Sequence, residues 1–263
     1  MKVIDCFTFY NELDMLDLRL NELNEVVDFF VLVECTKTHA NKDKELYFEN
    51  NKERFSKFLD KIIHIVVANN IPNESCSAWD REAYQRKCID DGIKKINLNM
   101  DDIIIIADLD EIPDAKTIQT IKNNKRVDGI YYLEMDLYYY NINCKYNNKW
   151  FQTKILNYGS YVKYNNPHEI FRLSNVQIIK NGGWHLSYFG NIEFIKNKIR
   201  NFLHHDEWCN DYILNDDRIN AQIQYSKDLF GRPNETFNYI DAKDNTYLPH
   251  KYEDFKEFLN KKS

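Results

Sequence analysis

The first half of the chain alternates short apolar runs with amphipathic stretches. Runs rich in β-branched and aromatic residues at 3–9, 26–33 and 62–67 predict three strands. Leucines recur at helical spacing between residues 13 and 23, and residues 77–96 carry a second helical pattern. Strands that alternate with helices indicate βαβ units. The pattern therefore predicts an α/β fold whose central sheet is mostly parallel.

A fourth apolar run ends in a cluster of carboxylates. Residues 103–107, four isoleucines and an alanine, predict a strand buried on both faces, although periodicity alone also allows a helix segment. Asp108, Asp110 and Glu111 follow directly. Residues two apart in an extended chain point the same way, so Asp108 and Asp110 can aim at one point, where they would repel each other without a cation. Such ligands suit Mg²⁺ or Mn²⁺, which commonly share their shell with substrate phosphates.

The position of this cluster decides between two interpretations of the Asp-x-Asp. In isolation, such a motif is more often a solvated strand end or a helix cap. Behind a buried strand a metal–phosphate site is favoured, because ligands of open α/β sheets bind outside the carboxyl ends of the strands. Glu12 and Glu34 also lie just past predicted strands. Together with the 108–111 cluster, they predict a site on that edge of the sheet.

The second half of the chain has shorter, Tyr-rich elements. Residues 130–136 and 137–140 predict a pair of strands, and Gly182 with Gly183 predicts a tight turn. Further short strands are expected within residues 150–179, and helices over residues 192–203, 211–229 and 252–259. No internal repeat or linker divides the sequence, so a single domain is expected.

Composition narrows the classes of function. The formal charge of the 263 residues is −6, which argues against a general nucleic-acid or membrane-surface binder. Six scattered cysteines without a C-x-x-C pair fit reduced thiols. The amino terminus lacks the apolar core of a signal peptide, and no apolar run reaches the length of about 20 residues that spans a bilayer. We therefore expect no membrane span and a cytoplasmic location.

Six segments of the chain carry a resemblance to a known family. They are residues 5–16, 19–23, 27–34, 79–86, 108–113 and 183–187. In this order they resemble glycosyltransferase family 17, the family of the bisecting β-1,4-N-acetylglucosaminyltransferases of GnT-III type. The resemblance covers residues 3–190 well and the remainder loosely.

The resemblance implies a fold and an activity. It implies one GT-A-like domain over residues 1–263, with a mostly parallel central sheet flanked by helices and a smaller, mixed C-terminal acceptor region. Residues 1–128 would form the nucleotide-sugar-binding half and residues 129–263 the acceptor-side half. The activity implied is inverting, metal-dependent transfer of N-acetylglucosamine from UDP-GlcNAc to a glycan hydroxyl in β linkage. This chain is shorter than the large animal members, so the acceptor stays open between a glycan, a lipid-linked sugar and a protein.

The resemblance also implies roles for individual residues. Asp108 and Asp110 match the D-x-D of the family and would bind Mn²⁺ or Mg²⁺ together with His185, for which a hydrogen-bonded core position is the alternative. The implied donor-binding residues are Phe7, Glu12, Glu34, Arg81, Arg86 and Asp108. A solvated helix face is an equal alternative for the two arginines. The implied acceptor-binding residues are Trp79, Trp184 and Tyr188, for each of which packing is the alternative.

An inverting transfer needs a general base that removes the proton of the acceptor hydroxyl. Glu207 is our first choice, because it lies in a polar segment flanked by aromatic residues between two predicted helices. Asp136, beside the Tyr-rich strands, is the second. Neither is identified by spacing.

Two other classes of protein share parts of this pattern. A divalent-metal nucleotidyl or phosphoryl transferase acting on a sugar phosphate would use the same acidic strand end, but the sequence has no G-x-x-x-x-G-K-[ST] loop. A non-catalytic carbohydrate-binding protein would explain the aromatic content of 14% but gives no reason for Asp108 and Asp110 together. A glycosyltransferase accounts for both features.

Overall fold

The computed structural model describes residues 1–124 and 127–260. The strands are β1 (Val3–Phe9), β2 (Phe29–Cys35), β3 (Ile62–Val67), β4 (Ile103–Asp108), β5 (Glu111–Pro113), β6 (Ile130–Tyr139), β7 (Cys144–Trp150), β8 (Lys154–Asn157), β9 (Gln177–Ser187) and β10 (Phe237–Tyr239). The helices are α1 (Leu13–Leu23), α2 (Tyr47–Asn50), α3 (Ala78–Lys87), α4 (Ile89–Ile93), α5 (Ala115–Asn124), α6 (Tyr158–Tyr164), α7 (Pro167–Arg172), α8 (Ile192–Asn201), α9 (His205–Trp208), α10 (Asp216–Gln224) and α11 (Lys256–Asn260), with 3₁₀ turns at Lys52–Phe58 and Ala242–Asp244.

The first half of the chain builds the parallel part of the sheet. Strands β4, β1, β2 and β3 lie side by side in that order, and every neighbouring pair is parallel. Side chains of β4 alternate between two fully buried clusters: Ile103 and Ile105 pack on the α1 side, while Ile104 and Ile106 pack on the α4 side. Burial on both faces is the reason that this strand is continuously apolar. The predicted α/β fold and buried strand are confirmed.

The second half extends the same sheet with antiparallel neighbours. Strand β8 pairs antiparallel with β4, and β6 follows antiparallel to β8, with β7 and β10 beyond it. Strand β9 runs parallel to β6 and antiparallel to β5. A parallel core flanked by helices with a smaller mixed region is the arrangement expected of a GT-A-like domain. None of the helices in the described ranges is long and apolar enough to cross a bilayer.

Two predictions about local structure are wrong in an informative way. The pair of strands expected over residues 130–140 is one continuous strand, β6. The turn expected at Gly182 and Gly183 is instead the middle of β9. Gly183 has φ +145°, and a Cβ there would lie 2.1 Å from the carbonyl oxygen of Ile112. The glycine therefore permits close approach of β5 to β9 rather than a reversal of the chain.

Helix boundaries differ from the sequence pattern where caps intervene. The helix expected over residues 77–96 is two helices, α3 and α4, which meet at Cys88. Ser77 starts α3 through a capping box with Asp80. The helix expected over residues 211–229 begins only after Asn215, whose side chain accepts a hydrogen bond from the Arg218 amide.

Candidate functional site

A cleft of about 1030 Å³ opens at the carboxyl ends of β1 and β4. The lining residues come from both halves of the chain: Tyr10, Glu12 and Asp108 are among those of the first half, and the lining residues of the second half are called the second-half wall below. Helix α8 supplies Lys198 and Asn201 where the two halves meet. The sheet edge predicted from sequence therefore faces a cavity of a size that holds a ligand.

A buried arginine forms hydrogen bonds with the backbone of the acidic segment at the end of β4. Arg19, on α1, is fully buried and forms a two-pronged ion pair with Asp5 at 2.7 and 2.8 Å. Its Nη1 also donates to the carbonyl oxygens of Asp108 at 2.9 Å, Leu109 at 3.0 Å and Glu111 at 2.7 Å. A guanidinium presents several donors in a fixed plane, so one side chain can hold several backbone carbonyl groups of the same segment. Arg19 therefore determines the path of the acidic segment.

Glu111 links the same segment to the second half of the chain through hydrogen bonds. Its fully buried carboxylate accepts hydrogen bonds from Trp150 Nε1 at 2.5 Å and from the Thr153 hydroxyl at 2.7 Å. It also accepts a hydrogen bond from the backbone amide of Asp108 at 3.2 Å. Burial, together with the negative charge of Asp108, raises the pKa of Glu111. Glu111 thus acts on the backbone of the acidic segment and does not line the cleft.

Asp110 lies between a histidine and a lysine at the floor of the cleft. Its Oδ1 is 3.5 Å from Nε2 of His185, which β9 brings opposite Glu111. Its Oδ2 accepts a hydrogen bond from Lys198 at 2.7 Å. Burial alone would raise the pKa of Asp110, but the positive charge of Lys198 and the contact with His185 hold that pKa well below its usual range. Asp110 is therefore held as a carboxylate by its two basic neighbours.

Asp108 is the more exposed of the two aspartates. About 43% of its side chain is accessible, and its Oδ1 contacts Nη2 of Arg86 at 2.6 Å. Arg86 is almost completely buried on α3, where it also pairs with Glu82 at 2.6 Å and stacks on the ring of Phe171. Of the two helical arginines, Arg86 therefore reaches the cleft, as the resemblance implies.

Of the three expected metal ligands, Asp110 and His185 lie close enough together to share a divalent cation, whereas Asp108 pairs with Arg86. Donor atoms bound to one cation at about 2.1 Å each lie roughly 3 to 3.5 Å apart, and the Asp110 and His185 atoms are separated by 3.5 Å. Nδ1 of His185 is buried without a hydrogen-bond partner. Within residues 1–124 and 127–260, no three His, Cys, Asp or Glu side chains converge on one point. Mg²⁺ and Mn²⁺ often use one or two side chains and complete their shell with phosphate and water.

Three of the expected donor-binding residues have structural positions instead. Phe7 is fully buried beneath Arg19, whose guanidinium lies 4.5 Å from the ring centre. Glu34 is fully buried and accepts hydrogen bonds from the Phe48 amide and from His64. Arg81 donates to the backbone carbonyls of His39, Asn73 and Cys76, in the two loops that flank the start of its helix. None of the three lines the cleft.

Of the three expected acceptor-binding residues, two line the cleft and one is buried in the core. Trp79 is 46% exposed and lines the cleft, edge-on to His204. Tyr188 also lines the cleft, from a left-handed backbone position with φ +62°. Trp184 is buried against Tyr247, to whose carbonyl oxygen its indole nitrogen donates at 3.1 Å, so it presents no surface to a ligand.

The two candidate bases differ sharply in access. Glu207, on α9, lines the cleft with 61% of its side chain exposed. Asp136 is 2% exposed and forms ion pairs with Lys145 at 2.7 Å and Lys149 at 2.5 Å. A proton acceptor must reach the substrate hydroxyl directly or through one water. Burial between two lysines argues against that role for Asp136, whereas the Glu207 carboxylate is accessible from the cleft.

Several residues that line the cleft carried no signal in the sequence. Lys198 is one of many lysines, and only the fold brings it to Asp110, 88 residues away. The second-half wall of the cleft is unexpectedly aromatic. Its aromatic residues include Tyr139, Tyr146, Tyr188, Phe202, Trp208 and Phe230. Glu235 lies in the same wall beside the Tyr146 hydroxyl.

The chain is a glycosyltransferase. Residues 1–254 match the family described as "Glycosyltransferase family 17". Since the match covers almost the whole chain, the protein belongs to this family. Membership favours sugar transfer over both alternative classes, nucleotidyl or phosphoryl transfer and non-catalytic sugar binding.

Curated relatives resemble part of the chain. The β-1,4-mannosyl-glycoprotein 4-β-N-acetylglucosaminyltransferases of Rattus norvegicus and Homo sapiens are each 32% identical over 116 residues. The alignment covers 43% of this chain and 22% of each relative. The shared segment is therefore a small part of those longer proteins.

Two solved structures align loosely with the chain. S. aureus TarS has a TM-score of 0.42 at 12% identity, over 85% of this chain and 78% of that one. Glucosyl-3-phosphoglycerate synthase from Mycobacterium tuberculosis, solved with Mn²⁺, UDP and phosphoglyceric acid, has a TM-score of 0.36 at 9% identity, over 96% of this chain and 91% of that one.

The buried Arg19 generates the first prediction. Arg19→Met should lower the free energy of unfolding by about 3 to 5 kcal/mol, because it leaves the Asp5 charge buried and unpaired. Arg19→Met combined with Asp5→Leu should recover part of that loss. In both variants, amide hydrogen exchange over residues 108–111 should be faster than in the wild type, because three carbonyl contacts are missing. Urea unfolding and exchange mass spectrometry measure the two effects, and unchanged exchange in the double variant would contradict the role given to Arg19.

Proposed function

We propose that this glycosyltransferase moves N-acetylglucosamine from UDP-GlcNAc to a glycan hydroxyl, with inversion and with the help of Mn²⁺ or Mg²⁺. The observation that carries the proposal is the pairing of Asp110 with His185 beside Asp108, at the carboxyl end of β4 and open to the cleft. The names of the relatives support the choice of sugar. The size of the cleft suits a nucleotide sugar together with part of an acceptor.

The charges around the acidic segment support the need for a cation. Arg86 and Lys198 are the arginine and lysine side chains that form ion pairs with the carboxylates of Asp108 and Asp110. They are outnumbered by the carboxylates that they contact, which are Glu12, Glu82, Asp108 and Asp110. A diphosphate brings further negative charge to this group, and a divalent cation offsets it. When bound, that cation stabilises the charge that develops on the leaving nucleoside diphosphate.

The aromatic wall supports a sugar acceptor. Tyr139 and Tyr188 pack edge to face with ring centres 5.0 Å apart, and Trp208 lies 4.8 Å from Phe230. Aromatic side chains combine apolar faces with polar edges, which suits a ring-shaped ligand rich in hydroxyl groups. We assign this wall to the acceptor and the β1–β4 wall to the donor.

Glu207 is the group that we assign as general base. It projects into the cleft from α9, next to the aromatic wall, and its nearest basic neighbour is Nδ1 of His204 at 3.8 Å. A carboxylate that is exposed in the acceptor part of the cleft can accept the proton of the attacking hydroxyl. Glu235, in the same wall, is engaged by the Tyr146 hydroxyl and is therefore the less available carboxylate.

The metal assignment predicts the outcome of one substitution. Asp110→Asn should lower Mn²⁺-dependent release of UDP from UDP-GlcNAc by about 100-fold or more, because the cation loses its carboxylate ligand. EDTA should reduce wild-type activity to a similar extent. The measurement is UDP release, with and without an array of glycan acceptors. Asp101→Asn, an exposed position just before β4, is the matched control. Full activity in Asp110→Asn, or in EDTA, would contradict metal-assisted transfer.

The assignment of the base predicts a different kinetic pattern. Glu207→Gln should lower kcat for transfer to an acceptor by about 10² to 10⁴, because the hydroxyl keeps its proton. UDP affinity should be unchanged, since Glu207 does not contact the acidic segment. The exposed neighbour substitution Asp206→Asn is the control and should leave kcat near the wild-type value. Transfer by Glu207→Gln at the wild-type rate would remove the residue from this role.

A further inference from the structure

The ammonium group of Lys198 lies in the cleft, between the carboxylates of Asp110 and Glu12. It contacts Oδ2 of Asp110 at 2.7 Å and Oε1 of Glu12 at 3.5 Å. About 18% of its side chain is exposed, and it lines the cleft. The ring of Tyr188 lies 5.5 Å from the ammonium nitrogen. Lys198 thus occupies one oxygen of the carboxylate whose other oxygen faces His185.

The helix that carries Lys198 is anchored to the rest of the protein. Ile195 and Ile199 of α8 are fully buried, and Asn197 donates to the Tyr10 hydroxyl at 3.1 Å. A lysine side chain has a flexible stem of four carbons and three donors that rotate freely. The ammonium group can therefore exchange one anionic partner for another while the helix stays in place.

We propose that Lys198 is a diphosphate-binding residue that Asp110 holds until the donor and its cation arrive. This inference rests on the proposed function. Asp110 and His185 would hold the divalent cation, whose charge would weaken the attraction between the Asp110 carboxylate and the ammonium group of Lys198. The donor brings phosphate oxygens into the same part of the cleft, and these become the new acceptors of Lys198. The lysine and the cation thus compete for Asp110 in the free enzyme and cooperate on the diphosphate in the complex.

Substitution of Lys198 should change the affinity for Mn²⁺ and the affinity for UDP in opposite directions. Lys198→Met should strengthen the binding of Mn²⁺ alone, because Asp110 no longer has a competing partner. It should weaken the binding of UDP at saturating Mn²⁺ by about tenfold or more, because a charge-assisted hydrogen bond is lost. Electron paramagnetic resonance of free Mn²⁺ measures the first effect, and calorimetric titration with UDP measures the second. Damage to the fold would weaken both.

Two further variants keep the test decisive. Lys198→Arg retains the positive charge and should bind UDP within a few-fold of the wild type. Lys196→Met changes a lysine on the same helix that pairs with Glu193 and Asp216 on the surface, and it should alter neither measurement. Melting curves followed by circular dichroism establish that each variant is folded.

The outcomes separate this inference from the proposed function. If wild type binds UDP with Mn²⁺ and Lys198→Met binds it equally well, Lys198 is no phosphate ligand and the inference is overturned. It is equally overturned if Lys198→Met binds Mn²⁺ no better than wild type does. If wild type binds no UDP with Mn²⁺, it is the proposed function that fails.

Discussion

The buried guanidinium of Arg19 is the contact on which the geometry of the site depends. The chain leaves β4 with four successive carbonyl groups turned into the protein, where each needs a donor. Arg19 donates hydrogen bonds to the carbonyl oxygens of Asp108, Leu109 and Glu111. The amide of Leu186 donates to the carbonyl oxygen of Asp110 at 2.8 Å. A buried charge is costly unless it is paired and fully hydrogen-bonded, and here Asp5 and the carbonyls satisfy it. With this backbone fixed, both aspartate side chains are free to face the cleft.

The second half of the chain supplies the side chains that contact the acidic segment. Close approach of β9 to β5, which Gly183 permits, brings His185 to Asp110, and α8 brings Lys198 to the same carboxylate. The acidic motif is therefore local in sequence, while its partners are not. A site assembled in this way requires that both halves of the sheet fold together, since Asp110 comes from one half and His185 and Lys198 come from the other.

The sequence predicted those parts of the site that depend on local pattern. The continuous isoleucines identified β4, and the position of Asp108 and Asp110 after it follows from the strand itself. The failures concern tertiary contacts: an aromatic residue such as Phe7 or Trp184 looks the same whether it lines a cleft or fills the core. Lys198 could not have been distinguished from other helical lysines. Its role depends on the approach of α8 to β4, which hydrophobic periodicity does not encode.

The central claim is that a divalent cation at Asp110 and His185 holds a nucleotide diphosphate in this cleft. Anomalous diffraction from crystals grown with Mn²⁺ and UDP tests it most directly. The account predicts a manganese peak between the Asp110 carboxylate and Nε2 of His185, with diphosphate oxygens completing its shell. UDP bound without manganese at these residues, or manganese bound elsewhere in the cleft, would contradict it.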